Sequence, residues 1–537
     1  MSAAPSIISA DSPTAPQWHS DHNPWAIALT VTLATFMEVL DTSIANVALP
    51  HIAGGLSASV DESTWVLTSY LVSNAIVLPA SAWASTLLGR KRFYMGCVAL
   101  FTVSSCLCGI APSLSTLILC RVLQGAGGGG LQPSEQGILA DTFAPERRGM
   151  AFAVYGMAVV LAPAIGPTLG GWITDNYNWR WIFFINLPVG VISLLLSYRM
   201  IEDPPYLKDA RKRAFMEGLR IDYVGLMLLV LIFGPLQVML DKGEEDGWFQ
   251  SHFIVALAVI TVVALLFGII WELYHDRPII HLRLLKHRNF AISCVLMLSL
   301  GVVLYGTTTM LPEFVQVMMG YTAERAGMMI SPGGLVILLL MPIIGALLAR
   351  VDARWLIATG MTISALAMYH MTGVDLQMSF GHAMMLRVYQ SVGLAFLFVP
   401  INTLAYVGMP AEANNQVSAI INLMRNIGGS VGISLLSAAV TERAQIHQDT
   451  LVMHTTMYDS SLRDNLSGLG DSLAHRGFST ADAAHQATAR IYQMVQAQAR
   501  TVAYLDVFWI LMVLCAAMVP LVFLMKRSRP GGEIHAH

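Results

Sequence analysis

Two carboxylates lie inside the first long apolar segment of the chain. Glu38 and Asp41 are three positions apart, so on a helix they share one face. A carboxylate at the middle of a bilayer costs about 2.5–3.5 kcal/mol even on the lenient insertion scale. Such a side chain is expected to face a cavity or a partner rather than lipid. The spacing therefore predicts a site that binds protons or cations within the membrane.

The expected partner of these acids is Arg121, in the fourth apolar segment. The helical rise places Asp41 roughly 5 Å, and Arg121 roughly 8 Å, outward of the centre of its own segment. A buried guanidinium keeps its charge and must find carboxylates or carbonyls. Two interpretations remain open, a static ion pair that locks two helices and a proton-coupled pair that responds when helices move. Asp41 is favoured as the proton carrier, and Glu38 is a candidate contact for a cationic substrate or a second proton site.

Other polar residues in apolar segments predict a substrate cavity or gate. Gln124, Gln132 and Glu135 recur at helical spacing on the face that carries the arginine. Glu135 fits either a wetted vestibule or a proton relay. Glu313, at the outer end of its segment, is expected at a gate or rim, with a proton carrier as the less favoured alternative, and Arg387 is a second buried cation.

Composition indicates that membrane-spanning helices hold these residues. The 537 residues are 55% hydrophobic and 12% charged, whereas soluble proteins carry about 25% charged residues. The apolar runs are too long for strands of a barrel, so an all-α integral membrane fold is predicted. At about 20 residues per span, we predict fourteen spans. Their limits are 26–49, 64–88, 93–112, 114–139, 149–173, 181–200, 221–240, 253–273, 289–311, 327–349, 354–373, 381–406, 415–438 and 503–525.

The distribution of basic residues predicts the orientation of these spans. Arginine and lysine cluster in connections on one face, which the positive-inside rule places in the cytoplasm together with both termini. The clusters lie at 90–92, 147–148, 199–220, 277–288 and 526–529. The net charge of −3 gives no basis for nucleic-acid binding. The six cysteines lie in apolar runs and lack metal-site spacing, so no metal is expected.

The chain contains an internal repeat. Residues 121–127 read RVLQGAG and recur at 387–393 as RVYQSVG, and the ALP of 48–50 is echoed by MLP at 310–312. Spans one to six therefore match spans nine to fourteen, with two spans inserted between them. Two parallel six-span halves are the architecture of the major facilitator transporters.

The repeat predicts how the chain is divided. Between cytoplasmic tails at 1–25 and 527–537, an N-terminal half covers 26–200, a linker with two inserted spans covers 201–288, and a C-terminal half covers 289–526. The last half includes a polar outer connection at 441–502, whose second part is expected to be helical. A solvated loop and a docking surface for another protein are both open interpretations of this connection.

The repeat also predicts an asymmetry between the halves. The alignment places Val303 opposite Asp41, so the second half is expected to lack an equivalent carboxylate. Arg387 is then left without an obvious partner, and Arg425, in the thirteenth span, is another buried cation without an evident one. Proton coupling is therefore expected in the first half.

The fifth span is interrupted by helix-disturbing residues. Gly156, Pro163, Gly166, Pro167 and Gly170 fall within one apolar segment. Prolines interrupt the backbone hydrogen bonds of a helix, and glycines allow close approach of a neighbour. The segment is either a kinked packing helix or a hinge at which the two halves rock.

At these residues the chain resembles the fourteen-span drug:proton antiporters of the major facilitator superfamily, in the EmrB/QacA branch. The resemblance covers nearly the whole chain, and the 240–248 and 289–290 stretches are closer to the EmrB type. The segments that carry it are LDTSIANVALP at 40–50, RVLQG at 121–125, the glycine-rich stretch 156–171 and WRWIFFINLP at 179–188.

One family motif departs from its usual form. The loop after the second span usually reads G-x-L-x-D-R-x-G-R-K, and here only Gly89, Arg90 and Lys91 fit. Ala82 and Thr86 stand at the Gly and Asp positions. The acidic latch usually attributed to this motif is therefore left without its acid.

The resemblance implies a proton-coupled multidrug efflux permease of the bacterial inner membrane. It would export amphipathic, largely apolar compounds by alternating access, with the proton gradient as energy source and without a cofactor. A periplasmic adaptor and an outer-membrane channel are the implied partners, with the adaptor contact expected at 441–502. The alternatives are a dedicated exporter of one metabolite or siderophore and, less favoured because no catalytic constellation is evident, a membrane enzyme or sensor.

Overall fold

The regular structure of the protein is helical throughout the part that is described. The computed structural model describes residues 20–216, 222–275, 278–455 and 458–527. Within them are α1 Pro24–Leu56, α2 Val60–Ser63, α3 Trp65–Leu88, α4 Arg90–Gly109, α5 Leu114–Gly128, α6 Leu131–Thr142, α7 Pro145–Asn176, α8 Trp181–Phe184, α9 Asn186–Met200, α10 Pro205–Met216, α11 Tyr223–Lys242, α12 His252–Tyr274, α13 Arg288–Val317, α14 Ala323–Leu347, α15 Ala353–Met371, α16 Phe380–Ala405, α17 Asn414–His454, α18 Ser460–Ala474 and α19 Thr480–Phe523. The predicted all-α class is confirmed.

Most predicted spans coincide with helices long and apolar enough to cross a membrane. Among the described residues there are 12 such segments, and each overlaps one predicted span. The chain is therefore a multi-pass membrane protein. The two other predicted spans are also helical, the fourth as α5 followed by α6 and the eleventh as α15. The total of fourteen spans and the side on which the termini lie stay predictions.

Four consecutive glycines at the junction of α5 and α6 allow unusually close helix packing. A Cβ atom on Gly127 would lie 2.7 Å from the backbone nitrogen of Phe101 in α4. A Cβ atom on Gly129 would lie 2.6 Å from the carbonyl oxygen of Asn74 in α3. Any larger residue at these positions would push the neighbouring backbones away. The glycines thus bring polar groups of α3, α5 and α6 within reach of α1.

The N-terminal and C-terminal halves meet along two seams. In the first, α7 packs against α14 and α16, and in the second, α17 packs against α3 and α6. The inserted helix α11 packs on α3 and also touches α17, while α12 packs on α11. The boundaries drawn at 26–200, 201–288 and 289–526 stay a prediction, and these names are kept below for the three segments.

The outer connection at 441–502 is not a loop. α17 and α19 continue as helices beyond the predicted limits of their spans, and α18 packs against α19. Gln448 Nε2 of α17 donates to the Tyr492 hydroxyl of α19 at 3.2 Å, which joins the two extensions, and His447 Nε2 lies 2.8 Å from Asp506 Oδ2 at the base of α19's extension. This segment forms helices that pack on one another rather than a loop, and the helix expected in its second part is present. Whether it is a solvated segment or a docking surface stays a prediction. We call residues 441–502 the outer stalk.

Candidate functional site

Asp41 and Arg121 form a buried ion pair between α1 and α5. Arg121 Nη1 donates to Asp41 Oδ2 at 2.6 Å. Asp41 is 2% exposed and Arg121 is 0% exposed, so neither charge is solvated by bulk water. A buried charge of this kind is stable only when its partner and further hydrogen bonds replace the lost water. The structure thus brings together the two residues that depth alone had placed at similar levels.

Amide side chains complete the shell around Asp41. Gln124 Nε2 and Asn186 Nδ2 donate to Asp41 Oδ1 at 2.9 and 2.7 Å. Arg121 also donates to Gln124 Oε1 at 2.8 Å and, through Nε, to the Val66 carbonyl at 3.0 Å. The sequence reasoning missed Asn186, although it lies in the 179–188 stretch already singled out. Among the described residues, no group of three or more His, Cys, Asp or Glu side chains could hold a metal ion.

Glu38 belongs to a second network, one helical turn from Asp41. Gln132 Nε2 donates to Glu38 Oε2 at 2.8 Å, and Asn74 Nδ2 donates to Oε1 at 3.2 Å. The Tyr70 hydroxyl donates to the same Oε1 at 3.4 Å, while its ring lies 4.4 Å from the Arg121 guanidinium carbon. Tyr70 therefore touches both networks, which gives the two carboxylates a shared neutral neighbour. Nothing in the sequence pattern marked Tyr70 or Asn74 as site residues.

Arg425 joins the Glu38 network to the C-terminal half. Its Nη2 donates to Gln132 Oε1, which also accepts from the Tyr155 hydroxyl at 3.3 Å. The expectation that Arg425 lacks a partner is wrong, because its partner is the neutral side chain of Gln132 from the other half. A neutral partner carries no charge that would mark it in the sequence.

A row of polar side chains on α17 continues this contact toward the predicted cytoplasmic side. Asn414, Ser418, Asn422 and Arg425 recur every three or four residues, so they lie on one helix face, which we call the polar stripe. All four are buried. Their partners on α6 are Asp141 Oδ1 for Asn414 (2.7 Å), the Pro133 carbonyl for Ser418 (2.7 Å), Gln136 Oε1 for Asn422 (2.9 Å) and Gln132 for Arg425.

The cytoplasmic loop motif has an acidic partner from another helix. Arg90, which is buried, forms an ion pair with Asp141 at the end of α6 and donates to the Gly137 carbonyl at 2.9 Å. Tyr206 of α10 accepts from Arg90 at 3.1 Å and donates to Asp141 Oδ2 at 2.8 Å. Burial raises the pKa of Tyr206 above its usual value, so this phenol remains a neutral donor. The expected loss of the acidic latch is corrected here, because Asp141 supplies the acid that the motif lacks.

Gly89 and Lys91 shape the turn that presents Arg90. Gly89 has φ = 88°, a left-handed conformation that disfavours side chains. Asp203 Oδ1 accepts from the Lys91 backbone N–H at 2.8 Å, and the Lys91 ammonium donates to the Tyr198 carbonyl at 2.7 Å. The motif residues are therefore fixed by the segment that precedes α10.

Glu135 lies in the interior rather than in a wetted vestibule. It is fully buried, and its carboxyl group lies beside the buried Tyr94 hydroxyl. The vestibule interpretation is wrong for this conformation, since no water-facing surface of the side chain remains. The role in a proton relay stays a prediction.

Arg387 repeats the geometry of Arg121 without a carboxylate. It donates to Gln390 Oε1 at 2.7 Å and to Thr308 Oγ1 at 3.0 Å, and Gln390 in turn contacts Thr307. The same number of positions separates Asp41 from Thr307, Arg121 from Arg387 and Gln124 from Gln390. The alignment of Asp41 with Val303 is therefore wrong by one helical turn.

Glu313 contacts the last helix of its own half. The Tyr504 hydroxyl of α19 donates to Glu313 Oε1 at 3.0 Å, and Glu313 is half-buried. This contact lies within the C-terminal half and not between the halves. The predicted role of Glu313 at a gate or rim therefore has no cross-half contact to support it.

The fifth span forms one unbroken helix, α7, despite its two internal prolines. Pro167 has no N–H to donate to the Pro163 carbonyl, and the Ser43 hydroxyl of α1 lies 3.5 Å from that oxygen. A Cβ atom on Gly166 would lie 2.3 Å from Ser43 Oγ, and one on Gly170 would lie 3.0 Å from Ile44. These residues hold α7 tightly against the part of α1 next to Asp41.

Gly156 of α7 faces the other half. A Cβ atom there would lie 2.8 Å from the ring of Phe398 in α16 and 2.9 Å from Met341 Sδ in α14. The packing interpretation of the fifth span thus has direct contacts to support it toward both α1 and the C-terminal half. The hinge interpretation stays a prediction.

Comparison with known proteins decides the family. The family model of the Major Facilitator Superfamily matches residues 31–433. The chain belongs to the major facilitator superfamily. Among curated members it is 38% identical over 491 residues to the multidrug export protein EmrB of Haemophilus influenzae, covering 90% of this chain and 92% of that protein.

Two other superfamily members are similarly close. The multidrug export protein EmrB of Escherichia coli K12 is 36% identical over 518 residues, with 95% of this chain and 97% of that protein covered. The fatty acid resistance protein FarB of Neisseria gonorrhoeae is 35% identical over 511 residues, with the same coverage. The predicted membership is confirmed, and within the superfamily the chain is an EmrB-type permease.

Solved structures confirm the major facilitator fold. A double-tryptophan mutant of XylE has a TM-score of 0.61 at 14% identity, covering 96% of this chain and 98% of that one. The proton:xylose symporter XylE with a bound glucose derivative has a TM-score of 0.56 at 15% identity, covering 78% and 89%. At these identities the likeness concerns the fold alone.

Proposed function

We propose that this protein is a proton-coupled multidrug efflux permease of the bacterial inner membrane. It exports amphipathic, largely apolar compounds by alternating access. The relatives named multidrug export proteins support the transported class. The observation that carries proton coupling is the buried pair of Asp41 and Arg121, because a fully desolvated carboxylate exchanges its proton only when the structure moves.

Asp41 is the proposed coupling residue. In the described conformation its carboxylate accepts three hydrogen bonds, from Arg121, Gln124 and Asn186. A proton on Asp41 removes the charge that Arg121 neutralises and converts one acceptor into a donor. The hydrogen bonds that join α1, α5 and α9 then weaken, which shifts the equilibrium between conformations. Glu38, with its separate donors, is the proposed second proton site or contact for a cationic substrate.

The contacts between the halves support alternating access. The polar stripe of α17 and the contact of Asn415 with Ser85 (2.9 Å) close the seam on the predicted cytoplasmic side. Opening of this seam would expose polar side chains to water, where they can be hydrated at little cost. Rocking of one half against the other would therefore move the central site between the two sides of the membrane.

Transport in everted vesicles tests proton coupling. We expect Asp41→Asn to reduce dye accumulation driven by a proton gradient to the background of empty vesicles while the protein still inserts, because the asparagine can neither carry the charge nor release a proton. Asp175→Asn is the matched control, since that carboxylate is 70% exposed at the outer end of α7 and should leave transport unchanged. Wild-type transport by Asp41→Asn, or wild-type flux after collapse of the gradient, would contradict the proposal.

A dedicated exporter is the second candidate function. The relative named fatty acid resistance protein gives a specific reason to test one substrate class separately. The vesicle assay should therefore include cationic dyes, neutral drugs and a long-chain fatty acid. Gradient-driven transport of several unrelated compounds supports the multidrug proposal, whereas transport of the fatty acid alone supports the dedicated exporter.

The proposed partners are a periplasmic adaptor and an outer-membrane channel. The outer stalk supports this proposal because it extends two helices beyond the predicted membrane limits on one side. It also carries exposed apolar side chains, among them Met453, Tyr458 and Met494. Exposed apolar surface outside the membrane is typical of protein contact sites.

A further inference from the structure

Arg425 is a buried cation of one half whose hydrogen bonds go to neutral groups. It is 1% exposed, and its hydrogen bonds go to the amide oxygens of Gln132 and Asn426 and to the Tyr155 hydroxyl. The ring of Phe398 lies 5.9 Å from its guanidinium carbon. A guanidinium keeps its charge when it is buried, so its desolvation costs free energy that neutral partners offset poorly. A role in packing alone would not require a charged residue at this place.

The contact with Arg425 determines how Gln132 faces Glu38. A carboxamide has an acceptor end and a donor end. The acceptor end of Gln132 is occupied by Arg425 and Tyr155, which leaves the amide nitrogen to donate to Glu38 Oε2 at 2.8 Å. The reverse orientation would place NH₂ against the guanidinium and carbonyl oxygen against carboxylate oxygen. Arg425 thus fixes the nearest donor of Glu38 from the opposite half of the protein.

We propose that Arg425 is a positioning residue that couples closure of the cytoplasmic side to Glu38. When the polar stripe separates from α6, Arg425 leaves Gln132, the amide is free to turn, and Glu38 loses its shortest hydrogen bond. In the other direction, a Glu38 without charge holds Gln132 less firmly, and the cytoplasmic seam opens more easily. This inference deepens the proposed function, because it adds a second connection between the membrane carboxylates and the conformational change.

Accessibility of the cytoplasmic seam tests the coupling without any transport measurement. Ser85→Cys, placed in a full-length chain whose six native cysteines are replaced, reports opening because Ser85 is buried beside Asn415. We expect Arg425→Gln to raise the rate of maleimide labelling at this position about tenfold, and Glu38→Gln to raise it by a similar factor. The double variant should label no faster than either single variant, because both substitutions break the same bridge.

Arg387→Gln is the matched control. It removes an equally buried cation of the C-terminal half whose described contacts, Thr307, Thr308 and Gln390, all lie in its own half. Its effect on labelling should multiply with that of Glu38→Gln. Multiplicative effects of Arg425→Gln and Glu38→Gln, or unchanged labelling in Arg425→Gln, would overturn the proposal.

A second variant covers the possibility that Arg425→Gln does not fold. Gln132→Leu keeps the cation and the side-chain volume but removes both ends of the bridge. Gln132→Leu should raise the labelling rate as Glu38→Gln does. The double variant of Gln132→Leu and Glu38→Gln should show no further increase. Labelling needs neither substrate nor gradient. Unchanged labelling in these variants, together with intact proton-driven efflux, would therefore reject only the role of Arg425.

Discussion

The two halves carry the same arginine–glutamine pair but differ in the residue that faces it. In the first half Arg121 and Gln124 surround Asp41, and in the second half Arg387 and Gln390 surround Thr307. A threonine hydroxyl accepts a hydrogen bond but carries no charge and releases no proton at physiological pH. Only the first half therefore has a carboxylate at this position, which is the physical basis for placing proton coupling there.

Substitutions at Thr307 and Val303 distinguish the two possible alignments of the halves. Thr307→Asp should fold and melt at or above the wild-type temperature, because the new carboxylate meets Arg387. Val303→Asp should lower the unfolding free energy by about 3–5 kcal/mol, since it buries a charge without a partner. Thermal unfolding in detergent, followed by size-exclusion chromatography, measures both.

The two variants control for each other, because each introduces the same carboxylate into α13 at a buried position. Equal destabilisation by both would show that Arg387 does not compensate a charge at 307. A stable Val303→Asp protein would support the alignment that the structure contradicts.

At the scale of elements, α7 connects the site to the other half of the protein. Glycines in its central part pack against α1 beside Asp41, while α14 contacts α7 from Gly149 to Thr168 and α16 contacts it near Gly156. The Ser43 hydroxyl lies close to the carbonyl that Pro167 leaves without an N–H. A movement of α7 relative to the C-terminal half therefore reaches the coupling residue through direct contact, whether or not α7 itself bends.

Enlarging Gly166 should displace α1. We expect Gly166→Ala to reduce gradient-driven transport at least several-fold with normal insertion, because the added methyl group meets Ser43. Ser43→Gly in the same chain should restore transport, since it removes both atoms nearest to that methyl group. The single variant Ser43→Gly is the control for the helix destabilisation that glycine brings, about 1 kcal/mol. An unrescued double variant would show that the loss has another origin.

At the scale of the whole molecule, the described conformation is closed on the predicted cytoplasmic side by polar contacts. Arg90, Asp141 and Tyr206 join the loop motif to α6 and α10, and Asn414 adds the C-terminal half to the same cluster. The polar groups of this closed seam can be satisfied by water when it opens, which reduces the cost of separating them.

Removing the tip of the outer stalk distinguishes a role of the stalk in transport from a role in binding the proposed adaptor. Replacement of residues 458–479 by a short glycine–serine linker should leave gradient-driven transport in vesicles intact, because α18 packs chiefly on the outer part of α19. Drug resistance of intact cells should fall to the level of cells without the protein if the adaptor binds there. Lost vesicle transport would show that the stalk stabilises the permease itself, and unchanged resistance would place the adaptor contact elsewhere.

The sequence alone determined the features that depend on length and polarity along the chain. Hydrophobic length locates the 12 described segments that could cross a membrane, and the cost of burial marks Glu38, Asp41 and Arg121. The repeated RV-x-Q pattern gives the two halves and the absence of a second carboxylate. These properties follow from transfer free energies, which do not require knowledge of how helices are arranged.

The tertiary structure alone decided which polar groups meet. Val303 and Thr307 lie on one helix face one turn apart, so hydropathy cannot choose between them as the counterpart of Asp41. The partners Asn186, Asp141 and Gln132 are distant in sequence from Asp41, Arg90 and Arg425, and their contacts depend on the rotation of each helix about its axis. A helical period repeats every 3.6 residues along the sequence, but a hydrogen bond tolerates an error of only a few tenths of an ångström.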